Sequence, residues 1–262
     1  MTSEPIKEPI KKKKRKRRRW PLVLVFLLGL AILSYPLFSR WYYEQEASSQ
    51  VADFQQGLSL IGQEEIEERL HLAYAFNESL ISSSLDDPYG KDHAAGRAEY
   101  ARMLEVHEKM GHVQIPKINV DIPMYAGTSE EVLQKGIGHL EGTSLPVGGN
   151  STHSVLTAHR GLPNARLFSE LDQLVVGDKF YIHYIGGTLA YQVDRILVIE
   201  PTDFSELLVV PGHDYITLLT CTPYMVNSHR LIVRGHQVDY VPEVEERLIA
   251  ENQAAYFYKY AF

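Results

Sequence analysis

The chain has 262 residues and a single cysteine, Cys221. One thiol excludes an intrachain disulfide, and no C-x-x-C pair is present to start a zinc or redox site. Other signatures are missing too. There is no G-x-S-x-G nucleophile elbow, no phosphate-binding loop and no H-E-x-x-H. Gly136-Ile-Gly138 begins a dinucleotide-like pattern but lacks its third glycine. The 11 histidines are scattered and form no local ligand cluster, so neither a metal nor an organic cofactor is expected. Basic side chains are scarce beyond residue 19: the remaining chain carries 16 basic and 31 acidic groups, net −15. So acidic a body has no basic face to meet phosphates, which argues against a nucleic-acid partner.

The first 19 residues are the opposite, with ten basic and two acidic groups, net +8. Residues 20–39 then carry no charge between Arg19 and Arg40. About 20 apolar residues suffice for a helix to cross a bilayer. Trp20 at one end and Tyr35, Trp41, Tyr42 and Tyr43 at the other suit the two interfaces. Nine consecutive basic residues, Lys11 to Arg19, precede the span and only Arg40 just follows it. The positive-inside rule then predicts a single-pass membrane protein with a cytoplasmic N-terminus and residues 44–262 outside. A cleaved signal peptide would export the same residues. Outside the cytoplasm Cys221 is either a buried small hydrophobe or a reactive thiol, and its count alone does not choose.

Residues 44–110 read as a charged helical region. Ile66, Leu70, Tyr74 and Ile81 fall near i, i+4 spacing, and a second helical stretch is expected from Ala98 to Met110. Asp86-Asp87-Pro88-Tyr89-Gly90 interrupts the pattern as a turn or loop. From His112 the texture becomes short β-like runs bounded by Gly and Pro: 112–115, 120–125, 154–158, 179–184, 189–200, 215–221 and 231–238. Many short strands at close spacing predict a mainly β fold, a barrel or sandwich with one core over residues 111–240. Past Arg195 the alternation of the 189–200 run gives way to continuous apolar residues, which fits a bulge or deeper burial. Residues 241–262 are expected as a tail too charged to be a second membrane span.

Tyr215-Ile-Thr-Leu-Leu-Thr-Cys221 and His229-Arg-Leu-Ile-Val-Arg234 read as strands joined by a loop containing Pro223 and Asn227. That hairpin brings Cys221 near Arg230. A guanidinium beside a thiol favours the thiolate and can hold charge developing on a carbonyl oxygen. On the hairpin alone Arg230 reads rather as a solvated strand residue. A cysteine nucleophile also needs a proton acceptor and donor. His159, where a strand ends before Gly161, is the best-placed candidate; His139, His153 and His229 compete, and spacing does not choose among them.

These segments carry a resemblance. Thr217-Leu-Leu-Thr-Cys221 matches the TLxTC signature of sortases, Thr157-Ala-His-Arg-Gly161 resembles the segment bearing their histidine, and Arg230 matches their arginine. Gly138-His-Leu-Glu-Gly-Thr-Ser-Leu-Pro146 and Leu219-Thr-Cys-Thr-Pro-Tyr224 look most like the pilus-assembling class C branch. The resemblance implies a closed sortase-type β-barrel with short helices, preceded by N-terminal helices and a transmembrane helix. It implies Cys221, His159 and Arg230 as catalytic residues, no cofactor, and pilin partners bearing LPXTG-like sorting signals at a Gram-positive cell surface. Asp87-Pro88-Tyr89 fits the branch's lid motif, with Asp87 pairing with Arg230 and Tyr89 covering Cys221 by analogy. Class C members often carry a second, C-terminal membrane helix; residues 241–262 are not expected to supply one, so either the sequence is truncated or this member lacks that helix. Three other readings are a housekeeping sortase, a membrane-anchored cysteine peptidase, and a non-enzymatic binding domain in which Cys221 is only core.

Overall fold

In the computed structural model, residues 19–80, 103–162 and 165–260 are described. Residues up to Phe38 and those from Ser39 onward form two separate units. Helix α1 (Trp20–Leu58) supplies all of the described structure in the first beyond Arg19. Its N-terminal portion is long and apolar enough to cross a membrane, and its side chains there are mostly exposed.

The second unit is a barrel because alternating side chains let a sheet bury one face and close on itself. Its strands are β1 (Lys109–Ile115), β2 (Val120–Ala126), β3 (Ile137–His139), β4 (Thr152–Thr157), β5 (Lys179–Tyr184), β6 (Gly187–Ile199), β7 (Asp214–Thr222) and β8 (His229–Val238). Around the closed barrel the order is β1-β2-β3-β4-β7-β8-β6-β5. The β2–β3 and β4–β7 pairs are parallel and the others antiparallel. Register shifts between Val193 and Arg195, where the sequence pattern changes. Ile216, Leu218, Leu231 and Val233 face the main core. One residue along, Leu219 and Ile232 join Leu140, Val155, Ile199 and Leu207 in a second, smaller cluster on the other face. Each such buried aliphatic side chain contributes about 1.5–3 kcal/mol.

The rest of α1 lies along this unit through Ala47, Val51, Phe54 and Gly57, one face at helical spacing. A Cβ on Gly57 would meet Val106 Cγ1 at 2.6 Å, so only glycine permits that approach. Lys109 Nζ on β1 bonds Asp53 Oδ2 of α1 at 2.7 Å. In α2 (Gln63–Ser79), Asn77 pairs its side-chain amide with both backbone groups of Leu145, at 2.7 and 3.1 Å. A short helix, α3 (Glu130–Lys135), is capped by Ser129.

Two expectations need correcting. The helix predicted to run to Met110 does not reach it: in its described part only Met103 and Leu104 are helical, in a 3-10 turn. His107 and Glu108 adopt left-handed φ of 50° and 70°, and Lys109 and Met110 already belong to β1. A short apolar run does not distinguish helix from strand, and pairing with both β2 and β5 decides it. The charged segment expected as a tail forms α4 (Pro242–Tyr260). Its Glu245 is buried, ion-paired with Lys179 and accepting from Tyr181 Oη at 2.6 Å. Tyr256 lies under the Arg166 guanidinium, 5.0 Å from the ring centre. Replacing Glu245 by Ala leaves a half-buried ammonium and a buried phenol without their acceptor. Urea unfolding is expected to show a loss of about 2–3 kcal/mol, less in Glu245→Gln, which keeps an acceptor for Tyr181. Asp87, Pro88 and Tyr89, assigned to a lid, lie outside the described residues, as do residues 98–102 of the second helical stretch.

Candidate active site

Cys221 and Arg230 are directly opposed in the antiparallel β7–β8 ladder. Opposed residues put their side chains on the same face, with Cβ atoms about 5 Å apart. That face is the one carrying Leu219 and Ile232, away from the main core, so Cys221 sits at the end of the smaller apolar cluster. Cys221 and Arg230 are each 6 % exposed. The solvated-strand alternative for Arg230 is therefore wrong. Its Nη1 donates to the backbone carbonyls of Asn227 and His229 at 3.1 and 3.0 Å, which fixes the guanidinium at the strand end.

The histidine arrives from the other side. In the parallel β4–β7 pair, Thr157 is level with Leu219. The match continues past the end of β4: Ala158 N donates to Leu219 O at 3.3 Å, and Thr220 Oγ1 donates to Ala158 O at 2.7 Å. His159 is thus level with Cys221, and Cys221 with Arg230, on three neighbouring elements. His159 keeps 19 % of its side chain exposed, and its Nε2 lies 3.3 Å from Glu130 Oε2 on α3.

The competing histidines separate by environment. His139 is fully buried with Nε2 donating to Ser144 O at 2.8 Å, and burial pushes its pKa down to about 4. His153 is bonded on both nitrogens, to Leu208 O at 2.9 Å and Thr217 Oγ1 at 2.8 Å; burial foremost lowers it to about 4. Both brace loops and are held neutral. His229 is largely exposed and paired with Glu200 at 3.2 Å. Of the four, only His159 is both level with Cys221 and partly open to solvent.

Two neighbours went unnoticed in the sequence. Arg160 stands within the histidine segment, yet nothing in its spacing signals a task. Glu130 is 29 residues from His159 and meets it only in the fold.

Comparison with known proteins identifies the family. Residues 113–238 match the sortase-domain family model. Sortase C-1 from Streptococcus pneumoniae is 62 % identical over 74 % of this chain and 100 % of its own, with a TM-score of 0.72. The chain belongs to the sortase family. A pilus-related sortase C of Group B Streptococcus is 59 % identical, covering 72 % of this chain and 97 % of its own at a TM-score of 0.70. Sortase A of Bacillus anthracis is 25 % identical over 82 % of this chain and 92 % of its own length. Sortases are cysteine transpeptidases, and this sortase carries its one thiol at the end of β7.

Proposed function

We propose that this sortase polymerises pilins. Cys221 attacks the carbonyl of the Thr in an LPXTG-like sorting signal, and the joined Thr passes to a Lys amine of the next pilin. The level alignment of His159, Cys221 and Arg230 on three adjoining elements carries the reading. The 59 % identity to a pilus-related sortase C supports the pilin substrate.

The chemistry follows from the placement. The Cys221 thiolate adds to the Thr carbonyl, and the Arg230 guanidinium takes the charge developing on the carbonyl oxygen. His159 gives its proton to the departing Gly amine, leaving a thioester on Sγ. The incoming Lys amine then attacks the thioester, His159 accepts its proton, and an isopeptide bond replaces the thioester. The thioester conserves the peptide-bond energy, so no nucleotide and no other cofactor is needed. The apolar N-terminal helix would hold the enzyme in the membrane, cytoplasmic at its N-terminus and catalytic outside, where membrane-held substrates meet it at raised effective concentration. Asp87-Pro88-Tyr89 would act as a lid on the site.

The test uses the full chain in detergent with a labelled LPXTG-type peptide and a pilin bearing the acceptor Lys, read by mass spectrometry. A thioester on Cys221 and a Lys-linked product are expected, with faster thiol alkylation once Asp87→Ala loosens the lid. Hydrolysis without transfer would mark a peptidase. Transfer to a cell-wall peptide amine in preference to the pilin Lys would mark a housekeeping sortase.

A further inference from the structure

Strand β4 ends at Thr157, yet His159 must stay level with Cys221. Beyond Ala158 the ladder to β7 stops, and a different device takes over. Phe168 N donates to His159 O at 3.2 Å, and Arg160 and Leu167 form an isolated bridge, so the chain folds back on itself. From that turn the Arg160 side chain, only 7 % exposed, reaches three acceptors. Nη1 donates to Thr222 Oγ1 at 2.8 Å, Nη2 pairs with Asp172 Oδ2 at 2.7 Å, and Nε donates to Ser169 O at 3.4 Å. Gly161 N adds a bond to Ser169 Oγ at 3.2 Å. Tyr224 closes the arrangement: a Cβ on Gly161, whose φ is +92°, would meet its ring at 2.6 Å.

Arg160 follows His159 in the chain, and Thr222 follows Cys221. In extended backbone adjacent side chains point to opposite faces. The guanidinium–hydroxyl bond therefore joins the two strands behind the site, one residue from each reacting group. We infer that Arg160 is a positioning residue of the transpeptidase: its bond to Thr222, anchored by Asp172 and Ser169, sets the separation of His159 from Cys221. Lysine can replace it only in part, because a single ammonium does not span three acceptors in this planar arrangement. The inference rests on Cys221 and His159 being the reacting pair.

Misplacing a catalytic group by about 1 Å can cost on the order of 100-fold in rate. Thioester formation from an LPXTG-type peptide is therefore expected to lose about 10- to 100-fold in kcat in Arg160→Ala, with KM changed by less than about 2-fold. Arg160→Lys recovers part of the loss. Thr222→Val removes one bond and no charge; about a 5-fold loss in kcat is expected. The pH profile of Cys221 alkylation should move in Thr222→Val also, since a thiolate further from His159 is less stabilised. Thermal melting runs alongside, and Thr222→Val decides the matter if Arg160→Ala does not fold. Wild-type kcat and pH profile in Thr222→Val, with Cys221→Ala inactive, overturn the positioning role alone. A kcat loss that disappears well below the melting temperature overturns it too, as a purely structural effect. Transfer surviving in Cys221→Ala instead overturns the reading on which the inference rests.

Discussion

Cys221→Ala is expected to abolish thioester formation and to lower transfer by at least about 10,000-fold, the scale on which removal of a covalent nucleophile acts. The other two side chains remain: Arg230 is held by two backbone carbonyls and His159 by its own turn. Neither supplies a nucleophile that can hold the acyl group, so the reaction loses its intermediate and not merely some of its rate. The fold is expected to survive. Cys221 is a small side chain at a strand end, and losing its sulfur removes about 1 kcal/mol of burial at most. Unchanged melting with no adduct by mass spectrometry is the expected pair of results. Cys221→Ser refines it. A hydroxyl fits the same space but has a far higher pKa than a thiol, so almost none of it is present as the anion, and little activity returns. A variant without the thiol that still transfers at the wild-type rate would reduce Cys221 to a packing residue.

The parts of this site that were legible in the sequence share a cause. Strands β4, β7 and β8 announce themselves as β-branched and leucine runs between turn residues, and one hairpin is enough to bring Cys221 against Arg230. The pairing of β4 with β7 is parallel and joins residues 62 apart, as Thr157 and Leu219 show. No local pattern encodes it, which is why four histidines stayed in competition until the ladder put one of them level with the thiol. Burial then separated the others. Strand β3 escaped notice because three residues, one of them Gly138, cannot display an alternation. The stretch before β1 misled for the converse reason: Ala98, Ala101 and Leu104 do repeat at helical spacing, and only two flanking strands reveal that Lys109 and Met110 are sheet. Arg160 was hidden most thoroughly. Its acceptors are Thr222 at the end of β7 and Ser169 and Asp172 in the turns after residue 167, so its role is a property of the tertiary fold.

Acidification is expected to destabilise the barrel steeply below neutral pH, and the cause is three histidines that the site does not use. His139, His153 and His183 are held neutral, with pKa values lowered to about 4, by burial foremost. In the unfolded chain each would titrate near 6.5. Protonation therefore favours unfolding: their contribution is intact above pH 6.5 and is lost progressively as pH falls from 6.5 to 4. At pH 5 an unfolded histidine is almost wholly charged and a folded one almost wholly neutral, a difference of about 2 kcal/mol per residue. Together the three remove about 6 kcal/mol, a large share of the ~5–15 kcal/mol that holds a typical domain. Hydrogen bonding explains why His153 does not yield its neutral state easily. The Nδ1–H of His153 donates to Leu208 O, so its Nε2 accepts from the Thr217 hydroxyl, and a second ring proton would force that hydroxyl to turn. Arg234 nearby also disfavours the cation, while Asp194 favours it less than burial opposes it. Urea unfolding at pH 7.5 and pH 5 measures the effect directly. His153→Gln should be less stable than wild type at pH 7.5, because it loses a fitted ring, yet its pH dependence should be roughly a third less steep, because one of three titrating groups is gone. Equal midpoints at the two pH values in the wild-type protein would mean that these histidines titrate alike folded and unfolded, and that the loops they brace are open to water.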